Sequence, residues 1–448
     1  MTKAKSRPSS LRIFSDNFRW TWRHRKFQYK WGLIGIAVGI PLSLHTALSA
    51  QGPDLVSFIG AGLAIIGLVT FWMDHSEIKG EADQFSILPL MSDTHERVVV
   101  LSAHYGYEAG LFENRTVFFP TIANGFIRAG GLDTLEYSVN PKPFVIKKKE
   151  HCRRAFEHFR RQAKVVWNDE KLRLNSDPSQ FTNAKAIQLQ RTNYFDYLAT
   201  GFYSQRVWKF QNTQEYDGLE FMHDGTCLLP LWRSDTAHHI GVSTLLLTSN
   251  KRLLVQRTQA KGGVGRYVPS GSGSLDSADL GQGFGLSLLN GAKREFREET
   301  GWDELAEYKS HMQKVDQMEH YPLGMAIDVS RGLVTDFYFL SVATADTHKE
   351  YDDSYSAGKV VVDTFEIPLH NAITWLDCSK CDTPERWDEK LHDLVASYQQ
   401  ADPILAINLK LFRDLLRDIT HRPDGSKHPK HGLLDTLLGK PHHAYTGA

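Results

Sequence analysis

Two long apolar runs, 31–50 and 55–73, dominate the hydropathy pattern near the N-terminus, and neither contains Asp, Glu, Lys or Arg. Each has about the 20 residues that an α-helix needs to cross about 30 Å of hydrocarbon. Only Gln51 to Asp54 separate the runs, which is the length of a turn. Because helices satisfy their own backbone groups in lipid, the pattern predicts a transmembrane helical hairpin at 31–73.

The arm that precedes this hairpin, 1–30, is strongly basic. It carries nine Lys or Arg residues and a single acid, Asp16. By the positive-inside rule, this charge predicts that both termini lie in the cytoplasm. A cleaved secretory signal and a buried hairpin of a soluble protein are the alternatives. The length of the basic arm and the immediate second run favour the membrane hairpin.

Between 80 and 236, the pattern predicts a mixed α/β linker or sensor domain. The segments 97–102 and 116–121 are typical of strands, and 125–131 contains a glycine-rich turn. An amphipathic helix is expected at 147–164, where basic residues surround an apolar stripe. Its simplest interpretation is a solvated basic face. The alternative is a binding surface for anionic lipid headgroups or a phosphorylated ligand.

From residue 237 to 420 the pattern becomes more regular and predicts one further domain. Segments 241–248 and 252–258 flank a short turn and are typical of paired strands. A glycine-rich loop at 270–274 precedes a helix at 284–300. An amphipathic helix at 403–419 is expected to pack on this domain, and 421–448 is expected to be a flexible tail.

Three glutamates cluster on the helix predicted at 284–300. Glu295, Glu298 and Glu299 have the spacing i, i+3 and i+4, which brings their carboxylates to one face. Such neighbours raise each other's pKa, and a hard divalent cation would relieve that repulsion. Mg²⁺ accepts carboxylate oxygens, bridges to substrate phosphates and can activate water. For an isolated motif of this kind, a solvated Glu-rich helix face is the alternative.

The segment from Arg294 to Trp302 resembles the second half of the Nudix box, Gly-x5-Glu-x7-Arg-Glu-U-x-Glu-Glu-x-Gly-U, in which U is apolar, at every fixed position. The first half departs from this pattern. Read without a gap, Leu286 stands where the first glutamate is expected. Read with a gap, Gly273 leads to Asp279, and fourteen residues instead of seven separate that acid from Arg294. A lost carboxylate and a glycine-rich insertion both stay open.

The resemblance to the Nudix hydrolase family implies an α/β fold, specifically an α/β/α sandwich with a mixed sheet. It implies Mg²⁺-dependent or Mn²⁺-dependent cleavage of a nucleoside diphosphate linked to another group. Glu295, Glu298 and Glu299 would be catalytic metal ligands, and Arg294 would be a catalytic residue that orients them.

Two further sets of residues follow from the same resemblance. The glycine-rich loop would contribute Gly271 and Gly273 to binding. An additional acid is expected from a later loop, where the candidates are Glu350, Asp352 and Asp353. An ordinary solvated loop is an equal alternative for these three.

The order of hairpin, mixed domain and Nudix domain is also similar to the transmembrane Nudix effectors of bacterial CBASS antiphage systems. That similarity implies a two-pass inner-membrane protein with a nucleotide substrate, a cyclic oligonucleotide ligand and a homo-oligomeric state. Two functions follow: a membrane-anchored hydrolase in antiviral defence, or a ligand-gated effector that disrupts the membrane. The intact glutamates and Arg294 favour hydrolysis.

The amino-acid composition excludes few classes of function. The formal net charge is zero and 41% of the residues are hydrophobic, so the whole-chain balance indicates no class of partner. Four cysteines in 448 residues do not form a disulfide framework, which is typical of a reducing compartment.

Overall fold

A computed structural model describes residues 55–83, 85–87, 94–113, 115–147, 168–201, 207–210, 214–257, 266–308, 312–343, 373–397, 401–420 and 431–438. It also describes isolated positions within 34–44 and at 156, 204, 351 and 352. The predicted basic arm, most of the first apolar run, almost all of the predicted helix at 147–164, and most of the predicted tail lie outside these residues.

A mixed sheet organises the described part of the chain, where nine strands belong to it. At its centre, β9 (Ile240–Leu247) and β14 (Val334–Val342) run parallel, and both are buried along their whole length. Strands buried on both faces in this way need layers above and below them. The predicted strands at 241–248 and 252–258 correspond to β9 and β10 (Arg252–Arg257).

The remaining strands extend the sheet on both sides of this pair. Next to β14 lie β13 (Glu319–Asp328), then β3 (Arg115–Phe119), then β2 (Glu108–Phe112). Next to β9 lie β10 and β12 (Gly271–Ser274), and β10 also pairs with β11 (Tyr267–Val268) and β15 (Ile373–Asp377). Because β3 pairs with β13, residues before 237 contribute to the same sheet as residues after it.

Helices cover both faces of the sheet. On one face, Phe337 of β14 contacts Phe284 of α5 (Phe284–Thr300), with ring centroids 5.5 Å apart. On the other face, Tyr338 and Leu340 join a core with α7 (Pro384–Ser397), α8 (Pro403–Thr420) and α9 (His431–Leu438). Successive side chains of a strand point to opposite faces, which explains how β14 serves both cores. The described chain is therefore a mixed α/β protein with helices on both sides of the sheet.

Smaller elements surround this layered core. Two three-stranded sheets comprise β4 (Glu136–Asn140), β5 (Glu170–Leu174) and β6 (Ala186–Asn193), and β1 (Phe85–Ile87), β7 (Val207–Phe210) and β8 (Gln214–Asp217). The other helices are α1 (Leu55–Asp83), α2 (Thr94–Ser102), α3 (Thr121–Arg128), α4 (Tyr194–Thr200) and α6 (Trp302–Tyr308).

The strand predicted at 97–102 is wrong, because this segment belongs to helix α2. Its apolar residues are consecutive, and such a short run is compatible with either a buried strand or a helix. In the structure, Val98 and Ser102 are buried one helical turn apart, while Val100 between them is 73% exposed. The predicted strand at 116–121 is largely β3, and the glycine-rich segment 125–131 begins inside α3.

The transmembrane hairpin predicted at 31–73 is wrong. Helix α1 does not end with the apolar run at Met73 but continues for ten more residues, among them Asp74, Glu77 and Lys79. Within the described parts of the chain, no helix has both the length and the apolar character needed to cross a membrane. The two-pass inner-membrane location is therefore contradicted, and the similarity to transmembrane effectors loses the feature on which it depended.

Folding stability is expected to fall as the pH drops from about 7 to 4, partly because of His320 on β13. Its Nδ1 lies 2.8 Å from Ser341 Oγ and its Nε2 lies 2.9 Å from Val315 O. Burial, with the charge of Lys293, lowers the pKa of His320 to about 4. Between that value and the ordinary pKa of about 6.5, the unfolded chain binds a proton that the folded chain does not.

Replacing His320 with glutamine is expected to remove about 1 to 3 kcal/mol of this pH-dependent loss, measured by urea unfolding at several pH values. His392→Gln is the matched control, because His392 is exposed. An unchanged slope of stability against pH in the His320 variant would contradict the prediction.

Candidate active site

Helix α5 carries the predicted glutamates and is fixed by a buried stripe at four-residue spacing. The stripe consists of Phe284, Leu288, Ala292, Phe296 and Thr300. The helix ends at Gly301, which has a left-handed φ of 61° and donates its N–H to Arg297 O at 2.9 Å. This is the glycine C-cap expected there. Leu286, by contrast, is 45% exposed.

Strand β12 lies directly beside α5, and it replaces the loop predicted at 270–274. A Cβ atom on Gly271 would lie 2.6 Å from Phe296 Cα in the helix backbone. A Cβ atom on Gly273 would overlap the carboxylate of Glu295. The two glycines therefore allow strand and helix to approach closely. Their predicted role in ligand binding stays a prediction.

Arg294 is the centre of the site. Its Nη1 donates to Glu295 Oε1 at 2.7 Å and to Glu298 Oε2 at 3.1 Å. Its Nη2 donates to Ser274 O at 2.9 Å. Burial lowers the pKa of Arg294, but the hydrogen bond to Asp279 and the surrounding acids outweigh it, so the pKa is raised. The guanidinium is therefore a permanent cation that holds two of the three glutamates together.

Asp279 holds Arg294 from the opposite side. Its two carboxylate oxygens accept from Nε at 2.8 Å and from Nη2 at 2.9 Å, and the residue is 4% exposed. This is a bidentate arginine–carboxylate pair, which fixes orientation as well as charge. Asp279, the acid that the gapped reading reaches, therefore contacts Arg294, whereas Leu286, which the ungapped reading reaches, is an exposed residue near the start of α5.

The three glutamates do not have equivalent surroundings. Burial raises the pKa of Glu295 to about 7, because the charge of Arg294 does not offset burial and the neighbouring charge of Glu298. Glu299 accepts a hydrogen bond from Ser272 N at 2.8 Å, which ties it to β12. Arg294 thus gathers Glu295 and Glu298, while the β12 backbone holds Glu299.

Of the later candidate acids, the structure describes Asp352. Asp352 accepts a hydrogen bond from Trp375 Nε1 at 2.6 Å. Glu350 and Asp353 lie outside the described residues.

Two charged residues next to the site were missed by the sequence reasoning. Asp276 Oδ2 lies 3.8 Å from Arg294 Nη2, and Asp276 Oδ1 lies 2.6 Å from Lys171 Nζ. Lys171 belongs to β5, more than 100 residues earlier in the chain. No local spacing could have indicated this contact, although the Asp276–Asp279 spacing is compatible with a helical capping box.

The chemistry of the site fits a hard divalent cation, because its side-chain oxygens are those of carboxylates. Among the described residues, however, no three His, Cys, Asp or Glu side chains form a ready-made metal cage. Mg²⁺ is commonly held by one or two carboxylates together with waters and substrate phosphates. Glu295 and Glu298 would hold such an ion, and Glu299 could join them by leaving Ser272.

A cavity of about 220 Å³ lies elsewhere, between β2, α3 and α8, and includes Arg128 and Arg417 in its lining. Its charged lining groups are already in ion pairs. These pairs are Arg128–Asp418, Arg417–Asp388, Glu108–Lys410 and Asp414–Lys410. The cavity therefore offers little charge to a phosphorylated substrate, and we place the chemistry at the glutamates.

No protein-family model matches the chain, and no curated protein matches it. Among solved structures, it is similar to protein DR0079 from Deinococcus radiodurans, with 16% identity over 42% of this chain and 95% of that one and a TM-score of 0.24. It is also similar to a MutT protein from Methanosarcina mazei Go1, with 12% identity over 41% and 95% of the two chains and a TM-score of 0.22. Both likenesses are limited, because each covers less than half of this chain at low identity.

Proposed function

We propose that the protein is a Nudix-type hydrolase that cleaves a phosphoanhydride bond of a nucleotide derivative with the help of Mg²⁺ or Mn²⁺. One observation carries the proposal. Arg294, fixed by both oxygens of Asp279, holds the carboxylates of Glu295 and Glu298 against each other on one helix. Clustered carboxylates with little solvent exposure raise the free energy of the folded state unless a bound cation offsets their repulsion.

The charges of the cluster support a cationic cofactor. Arg294 and Lys171 supply two positive charges, whereas the surrounding acids outnumber them. The acids are Asp276, Asp279, Glu295, Glu298 and Glu299. The excess negative charge would repel a diphosphate, so a divalent cation is needed to bring substrate and site together.

The side chains have separable roles in this reaction. Arg294 orients Glu295 and Glu298, and Asp279 fixes Arg294. Glu295 and Glu298 would hold the cation, and one carboxylate of the cluster would accept a proton from the attacking water. The bound cation would polarise a phosphoryl oxygen and acidify that water. The cyclic oligonucleotide ligand and the homo-oligomer stay predictions.

Glu298→Gln and Glu299→Gln are each expected to lower turnover by at least about 100-fold, because each loses a charge that binds the cation. The measurement is hydrolysis of a panel of nucleoside diphosphate derivatives by the full-length chain with Mg²⁺ or Mn²⁺. EDTA is expected to abolish turnover in the wild type.

Glu304→Gln serves as the control, because Glu304 is an exposed acid on the neighbouring helix α6. It is expected to leave turnover unchanged. The proposed function would have to be abandoned if no substrate of the panel were cleaved, or if both glutamine variants kept the wild-type rate.

A further inference from the structure

Strand β5 lies against the turn that carries Asp276 and Asp279. Leu172 N donates to Leu275 O at 3.4 Å, and Ser277 Oγ donates to Glu170 Oε1 at 2.5 Å. Between these contacts, Lys171 Nζ donates to Asp276 Oδ1 at 2.6 Å. The sheet of β4, β5 and β6 therefore reaches the site through three successive residues of one strand.

The Lys171–Asp276 pair is shielded from water. The side chain of Lys171 is 10% exposed and that of Asp276 is 15% exposed. An ion pair with so little exposure is screened weakly, so removing one partner leaves an uncompensated charge. This separates it from surface pairs such as Arg386–Asp382, in which both side chains are 60% exposed.

Asp276 is also close enough to Arg294 to compete for it. Its Oδ2 lies 3.8 Å from Arg294 Nη2, just beyond hydrogen-bond distance. Its backbone N–H donates to Asp279 Oδ2 at 2.8 Å, the same oxygen that accepts from Nη2. Loss of Lys171 would leave the negative charge of Asp276 uncompensated beside the guanidinium, where it competes with the other acids for Arg294.

We propose that Lys171 is a positioning residue of the hydrolase site, an inference that rests on the function proposed above. By holding Asp276, it keeps Arg294 paired with Asp279 and directed at Glu295 and Glu298. The role acts through Asp276 and involves no contact between Lys171 and the substrate. It also means that the small sheet of the middle region is part of the catalytic unit.

Lys171→Met is expected to lower kcat by about 10- to 100-fold with KM within about twofold of wild type, as is typical when an outer partner of a catalytic group is lost. Lys171→Arg is expected to keep most of the activity. The double variant Lys171→Met, Asp276→Asn is expected to recover it, because the competing charge is then also absent. Lys142→Met, an exposed lysine of the same region, is the control.

The full-length variants are compared by steady-state kinetics and by thermal unfolding, and a crystal structure of Lys171→Met shows whether Asp276 has moved into hydrogen-bond contact with Arg294. Losses that add up in the double variant would indicate packing alone and would overturn the proposal. A raised KM with unchanged kcat would overturn it in favour of direct substrate contact. Wild-type kinetics in Lys171→Met would overturn this inference only, whereas an inactive wild type would overturn the proposed function as well.

Discussion

Arg294→Met is expected to abolish turnover and to lower the free energy of unfolding by about 3 to 5 kcal/mol, the usual cost of removing one partner from a buried ion pair. The side chain is 15% exposed and faces Asp279, which is 4% exposed. Methionine fills a similar volume but removes the two guanidinium donors from Asp279. Glu295 and Glu298 would then repel each other without a cation between them. Urea unfolding and the nucleotide assay measure the two effects separately.

Arg297→Met is the matched control, because Arg297 lies on the same helix and also holds two acids, Asp303 and Asp316. Asp316 is 69% exposed and Asp303 is 27% exposed, so solvent screens these pairs more than the Arg294–Asp279 pair and the expected loss is smaller than that of Arg294→Met. Turnover is expected to persist. Equal destabilisation by both variants, or an active Arg294→Met protein, would contradict the assignment of Arg294 as the centre of the site.

Gly273→Ala is expected to lower kcat by about 100-fold while the protein stays folded, because the added methyl overlaps the Glu295 carboxylate. That carboxylate is the end of a flexible side chain and can move away at small cost in stability. Gly271→Ala, two residues earlier, is expected to act differently. Its methyl meets the backbone of Phe296, which cannot move alone, so the expected effect is a loss of about 1 to 3 kcal/mol in unfolding free energy.

Gly125→Ala in helix α3 is the control for both substitutions. No heavy atom lies within 4 Å of a Cβ at that position, and alanine favours helix, so stability should be unchanged or should rise by about 0.5 to 1 kcal/mol. A wild-type kcat in Gly273→Ala would contradict the close contact between β12 and the carboxylate of Glu295.

The structure shows how Asp279 meets Arg294 although fourteen residues separate them. The segment between Asp279 and Arg294 contains Gly283, which has a φ of 88° and leads into the first turns of α5. Ser287 Oγ accepts from Gly281 N and donates to Gly283 O, which closes the connection. Asp279 therefore contacts Arg294 where β12 and α5 lie side by side. This contact does not require a particular number of residues between the two in the sequence.

Features that depend on residues close together in the chain could be predicted from the sequence alone. The spacing of Glu295, Glu298 and Glu299, the C-cap at Gly301 and the central strands β9 and β10 follow from helical and strand periodicity. The same local reasoning failed at 97–102, where consecutive apolar residues fit either structure, and at 31–73, where an apolar run was only part of a longer helix.

Contacts between residues far apart in the chain became apparent only in the folded structure. It paired β9 with β14 in parallel, placed Asp279 on Arg294 and brought Lys171 of β5 to Asp276. The number of residues between the partners predicts none of these contacts. Each one joins two elements whose relative position depends on the packing of the whole core. The sequence thus identified the glutamates, and only the folded chain showed what holds them in place.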